Sequence, residues 1–201
     1  MPSLASRAFV ALALAAACSL ASLPAHAAGA GPFVEADVGT ARNHIDGGLV
    51  PDIDTSTWRV GAGYRWALTP SISLGFEAGY TDLGTAYRLP MSMHTPDGSA
   101  FLGHVLYDAA GPFVGLAARF DIAPSWFIGA RAGAQRVSYD VQPKPFSKLL
   151  DDATGSYAGV SVGRDFGDAW SLAIGLDHSN IDFGTGRLHS NRLALQGEYR
   201  Y

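Results

Sequence analysis

Trp58-Arg59-Val60-Gly61-Ala62-Gly63-Tyr64-Arg65-Trp66 is followed by Ala67-Leu68-Thr69-Pro70-Ser71 and then by Ile72-Ser73-Leu74-Gly75-Phe76-Glu77-Ala78-Gly79-Tyr80-Thr81-Asp82. Even positions carry Trp, Val, Ala, Tyr and Trp, then Ile, Leu, Phe, Ala and Tyr. Odd positions in the first arm carry only arginine and glycine. A period of two means extended strands, because successive side chains leave a strand on opposite faces. The short proline-containing break between the arms makes them an antiparallel hairpin. The polar face holds glycines and isolated charges, and the apolar face is bounded by aromatic rings. Small and charged residues inside, aliphatics outside and aromatics at the rims is the pattern of a transmembrane β-barrel strand. A soluble sandwich or a lipocalin-like barrel would turn the same hairpin over, so the other segments decide.

Six further segments repeat the pattern. Phe33–Gly39 sets Val34, Ala36 and Val38 against Glu35 and Asp37. Pro112–Phe120, with an extension through Phe101–Tyr107, sets Val114, Leu116, Ala118 and Phe120 against Gly115, Ala117 and Arg119. Trp126 to about Tyr139 sets Ile128, Ala130, Ala132 and Ala134 against Gly129, Arg131, Gly133 and Gln135. Tyr157–Phe166, Trp170–Ser179 and Arg192–Tyr201 complete the set. Arg164 and Arg136 fall on the outward parity and are expected at the rims. Short connections at Ala67–Ser71, Asp121–Ser125 and 167–169 alternate with long ones at about 41–55, 84–104, 140–155 and 180–191. The expected fold is therefore all-β, an eight-stranded antiparallel up-and-down transmembrane barrel with short periplasmic turns and longer external loops. Only closure leaves no unpaired backbone edge in lipid.

Of the 201 residues, 48% are hydrophobic, and the chain carries 24 glycines, 4 Trp, 8 Tyr and 10 Phe against few charges. Lysine occurs only at 144 and 148. Residues 1–27 read as a secretory leader: Arg7, an apolar core from Ala8 to Leu20, and small residues in Pro24-Ala25-His26-Ala27. Cleavage after Ala27 removes Cys18, the one cysteine, and leaves 28–201 as the barrel domain. Lipoprotein processing at Cys18 is the alternative. Loss of Arg7 moves the formal charge from −4 to −5, which speaks against nucleic acid as a partner.

Phe33-Val34-Glu35-Ala36, Trp58–Trp66, Leu74–Tyr80 and the terminal Gly197-Glu198-Tyr199-Arg200-Tyr201 give the chain a family likeness. It resembles the small eight-stranded outer-membrane barrels, the group containing the OmpA transmembrane domain and the OmpX/Ail proteins. The resemblance implies residence in a bacterial outer membrane and activity through external loops. It also makes Tyr199 and Tyr201 resemble a C-terminal signal read by the barrel-insertion machinery. The peptidoglycan-binding domain of full OmpA proteins is missing after the last strand, so no cell-wall anchoring is expected.

Inward parity collects Glu35, Asp37, Glu77, Asp165, Asp177 and Glu198 with Arg59, Arg65, Arg119, Arg131, Arg192 and Arg200. In an eight-stranded barrel side chains fill the interior, and an unpaired buried ion costs several kcal/mol. A salt-bridged plug is the expected result, with Arg59 and Arg65 lying between Glu35 and Asp37 on one side and Glu77 on the other. A small gated pore for ions or solutes is the alternative. Gly61, on the lumen parity, is expected to accept a serine.

The twin triplets His178-Ser179-Asn180 and His189-Ser190-Asn191 bracket Ile181–Leu188 and invite comparison with lipid A deacylases. Adjacent residues on a strand point to opposite faces, so neither serine is expected beside its histidine. No catalytic residues, cofactor or metal set is expected. Asp46, Asp52 and Asp54 lack the spacing of a cation loop, and Met91 and Met93 mark the second loop as an adaptable contact surface. The expected partners are outer-membrane lipids, lipopolysaccharide, the insertion machinery, and host or neighbouring surfaces, with the protein itself a monomer.

Overall fold

In the computed structural model the alternating segments become eight strands: β1 (Gly31–Ile45), β2 (Ile53–Thr69), β3 (Ile72–His94), β4 (Ala100–Ala123), β5 (Trp126–Gln142), β6 (Asp152–Phe166), β7 (Trp170–Asp182) and β8 (Arg187–Arg200). Each strand pairs antiparallel with its sequence neighbours, and β1 closes on β8, with Val38 opposite Trp58 on one side and Leu195 on the other. The structure describes residues 29–46, 52–94, 100–142, 152–182 and 187–201. The leader, Cys18 and the cut after Ala27 lie outside the described residues, as do the side chains of Met91 and Met93.

The period-two pattern partitions the strands by solvent. Val38 is 61% exposed, Leu116 60% and Ile174 58%, whereas Arg59 is 4% exposed and Glu77 1%. A soluble barrel would have the reverse, so the apolar outer face is a lipid face. Aromatic rings mark its two ends on β2. Trp58 stacks on Tyr80 at 5.9 Å between centroids, while Trp66 meets Tyr64 at 5.3 Å and Phe76 at 5.7 Å. At about 3.3 Å per residue and a tilt of about 40°, Trp58 to Trp66 spans roughly 20 Å of bilayer.

The strands are longer than the apolar alternation suggested. Residues 84–104 were expected as a loop, yet β3 and β4 form a ladder from Ile72↔Phe120 to His94↔Ala100, with irregular register near Thr85. Residues 180–191 were also expected as a loop, yet Ile181 pairs with Leu188. The physical reason is an inversion of polarity above the membrane. Along β7 the outward residues change from Leu172, Ile174 and Leu176 to His178, while the inward residues change from Asp177 and Ser179 to Ile181. Leu83, Ala109, Val137, Ala153, Ile181 and Leu188 pack together inside as an apolar core at the long-loop end, all at most 5% exposed. Here the barrel stands in water, so the ordinary rule of apolar in and polar out applies.

The short end is tight. β4 runs on to Ala123, so the expected turn Asp121–Ser125 shrinks to Pro124-Ser125. Gly167 opens the turn between β6 and β7 with φ of +75°, a left-handed conformation that glycine adopts without a Cβ clash.

Candidate functional site

Inward-facing residues of all eight strands meet in the lumen, and every charge expected there is within it. They form two layers. In the layer nearer the external end, Arg59 Nη2 donates to Glu77 Oε1 at 2.5 Å, and Tyr157 Oη donates to the same oxygen at 2.7 Å. Arg59 Nε also lies 3.4 Å from Glu35 Oε1. Arg131 on β5 reaches Asp177 on β7 with two nitrogens, at 2.8 and 2.7 Å, and Asp37 on β1 at 2.9 Å. Arg192 on β8 donates to both of those aspartates, at 2.7 and 2.9 Å.

The layer nearer the short turns is built the same way. Arg65 grips Glu198 with Nη1 and Nη2 at 3.0 and 2.7 Å. Arg119 donates to Asp165 at 2.5 Å and Asp121 at 2.8 Å, and Arg200 donates to Asp165 at 2.9 Å. Ser171 Oγ donates to Asp165 at 2.8 Å. Guanidinium groups suit this space because their planar forks serve two carboxylates at once. A cavity of about 40 Å³ lies between the layers, touched by Glu35, Glu77 and Arg131 from one and Arg65, Arg119 and Glu198 from the other. It has room for a few water molecules.

One expected arrangement differs. Arg59 does sit between Glu35 and Glu77, but Asp37 turns to Arg131 and Arg192, and Arg65 goes to Glu198 on β8. Neighbour-strand reasoning fails because inward side chains of a narrow barrel converge, so an arginine reaches across the lumen as readily as along the sheet. Asp121 and Tyr157 escaped notice, although both lie on the inward parity of their strands. So did the rings beneath the arginines: Arg59 lies 3.6 Å over Phe113, Arg65 3.8 Å over Phe33 and Arg119 3.8 Å over Phe127. Their signal was an aromatic on the glycine parity. A Cβ at Gly63 would stand 2.5 Å from Phe33 Cζ, and one at Gly61 would stand 3.0 Å from Phe113 Cζ. Gly61 therefore has less room than its parity implied.

At the external rim the two triplets face each other across β7 and β8, with Ser179 opposite Ser190. Both serines are buried inside, at 6% and 1% exposure. His178 Nδ1 lies 2.9 Å from Asn191 Oδ1, and His189 Nε2 lies 3.1 Å from Asp46 Oδ2. Among the described residues the histidines turn to Asn191 and Asp46 while both serines point inward, so the pair that nucleophilic catalysis needs is not assembled there. Asp52 bonds His44 at 2.8 Å and Asp54 bonds Arg42 at 3.0 Å. Among the described residues no three His, Cys, Asp or Glu side chains gather as a metal site. Arg136 pairs with Asp152 at this rim, and Ser138 Oγ donates to Asp152 at 2.7 Å. Those two contacts, the hydroxyl first, hold the Asp152 carboxyl below its usual range. Arg164 lies at the opposite rim, beside Trp126. Tyr199 packs on Trp170 at 4.8 Å and on Tyr201 at 4.9 Å.

The family described as outer membrane protein beta-barrel domain matches residues 11–200. No curated protein matches the chain in sequence. Among solved structures, Neisserial surface protein A superposes with a TM-score of 0.58 at 17% identity, over 85% of this chain and 97% of that one. Ail, the attachment invasion locus protein of Yersinia pestis, superposes with a TM-score of 0.55 at 12% identity, over 84% and 98%. Ail in complex with the heparin analogue sucrose octasulfate gives 0.52 at 13% identity, over 85% and 99%. At such identities the likeness is one of fold.

Proposed function

The chain belongs to the outer-membrane β-barrel family, and we propose that it is a non-enzymatic member, plugged through its lumen and active through its external loops. The observation carrying this reading is the stack of three closures along one axis. Two ion-paired layers fill the membrane portion, and the core around Ile181 and Leu188 lies beyond them at the external end. A solute crossing the barrel would have to part all three. Breaking a buried ion pair by removing one partner typically costs about 3–5 kcal/mol, and opening an apolar core adds to that.

What remains for the protein to do lies outside, toward lipopolysaccharide and host or neighbouring surfaces. The described external rim carries Asp46, Asp52, Asp54, Asp152 and Asp182, and its Arg42, Arg136 and Arg187 are each paired with one of them, Asp54, Asp152 and Asp182 respectively. That balance disfavours a sulfated polyanion of the kind seen with Ail. Tyr199 and Tyr201 serve, on this reading, as the insertion signal.

The gated pore keeps one observation in its favour, the cavity between the two ionic layers. A strain lacking the protein, assayed together for adhesion, permeability and lipid A composition, separates the readings. Altered adhesion alone supports the surface role, altered permeability supports the pore, and altered lipid A supports an enzyme.

A further inference from the structure

Arg164 stands apart from every other arginine whose side chain the structure describes. Each of the others is ion-paired to an aspartate or glutamate, the loosest being Arg187 to Asp182 at 3.9 Å. Among the described residues no carboxylate pairs with Arg164. It projects outward from β6, two residues before the end of the strand at Phe166, opposite Trp126 on β5 and Leu172 on β7. Its guanidinium lies 6.0 Å from the Trp126 ring centroid and 5.9 Å from that of Phe166. The next outward residues on the strand, Val162 and Val160, are 49% and 59% exposed and face lipid.

A permanent cation on the lipid face must find its counter-charge in the bilayer. At this depth, level with the aromatic rings of the short-turn end, the bilayer offers phosphates. The guanidinium fork matches two phosphate oxygens, and a cation near ring faces within about 6 Å is held there. We propose that Arg164, flanked by Trp126 and Phe166, is a binding site for the phosphodiester of one phospholipid in the leaflet at the short-turn end. The inference rests on the membrane placement of the barrel and is independent of what its external loops contact.

Native mass spectrometry of the mature protein, folded in a phosphate-free maltoside detergent and titrated with phosphatidylglycerol, tests it. Wild-type protein should retain one lipid about tenfold more tightly than Arg164→Gln, with Arg164→Lys between them. Diacylglycerol, which lacks the phosphate, should show no dependence on Arg164. Equal retention of phosphatidylglycerol by wild type and Arg164→Gln would overturn the site, and so would equal binding of diacylglycerol by wild type. Lipid A that depends on Arg164 as strongly as phosphatidylglycerol would overturn the assignment to the short-turn leaflet. A measurement free of variants is dephasing of arginine Cζ carbon by lipid phosphorus in bilayers of the wild-type protein. Arginine in contact with phosphorus is expected, and none would contradict the proposal. Failure of the wild type to insert into vesicles is a distinct result, one that would overturn the membrane placement beneath it.

Discussion

Arg65 on β2 holds Glu198 on β8 with both terminal nitrogens, at 3.0 and 2.7 Å, although β1 lies between their strands. Phe33 of that intervening strand sits 3.8 Å beneath the guanidinium. The strand on which the barrel closes is thus bridged from inside by an ion pair that no two adjacent strands could make. Both partners are mostly shielded, at 8% and 13% side-chain exposure.

Removing one of them strands the other. Arg65→Ala should lower the unfolding free energy by about 3–5 kcal/mol, read from urea unfolding of the vesicle-inserted barrel. Combining it with Glu198→Gln should return part of the loss. Strict additivity of the two changes would show that the pair is not coupled.

Ile174 and Ile181 lie on the same strand, one 58% exposed to lipid and the other fully buried in the external core. Ile181→Ala should cost about 2–5 kcal/mol, because it leaves a cavity in a packed interior. Ile174→Ala should cost distinctly less, since acyl chains fill the space. Equal losses in the same unfolding assay would contradict the inversion of polarity between the two positions.

The lipid face itself is tested at Val60, mid-strand and outward. Val60→Arg should destabilise insertion by about 2–4 kcal/mol. Gly197 supplies the matching control. It shares the outward parity of Leu195 and Tyr199, and an added Cβ would meet nothing nearer than Ala36 O at 3.8 Å. Gly197→Leu should therefore insert normally, by heat-modifiable gel mobility, and a severe defect would place that face against protein.

Alternation alone was enough to read the eight strands and the charged inner face, because lipid and lumen impose opposite preferences on successive residues. It stopped being readable where the membrane stops. Ile181 and Leu188 are read as loop from the sequence because beyond the bilayer the apolar residues move to the inner parity, and a rule tuned to lipid sees only a broken pattern. The partners of Asp37 and Arg65 were also illegible, since cross-lumen distances depend on strand tilt and stagger. Those quantities belong to the closed sheet, and no single segment carries them.

At the external rim, Ser138 and Arg136 hold the Asp152 carboxyl below its usual range. A depressed folded-state pKa contributes stability above the ordinary carboxylate range, and that contribution is lost as pH falls through the folded value. Ser138→Ala should move the Asp152 titration upward, measured by carboxyl carbon NMR of the barrel in nanodiscs. An unchanged midpoint would remove the hydroxyl from the account.

The claim on which the rest depends is that the lumen is closed, and planar-bilayer recording tests it most directly. The unmodified protein should leave the current at background. The double variant Arg59→Ala/Glu77→Gln should also stay near background, because the external core over Leu83 and Val137 remains packed. Steady single-channel openings from the unmodified protein would contradict the plug and make the cavity between the ionic layers part of a conducting path.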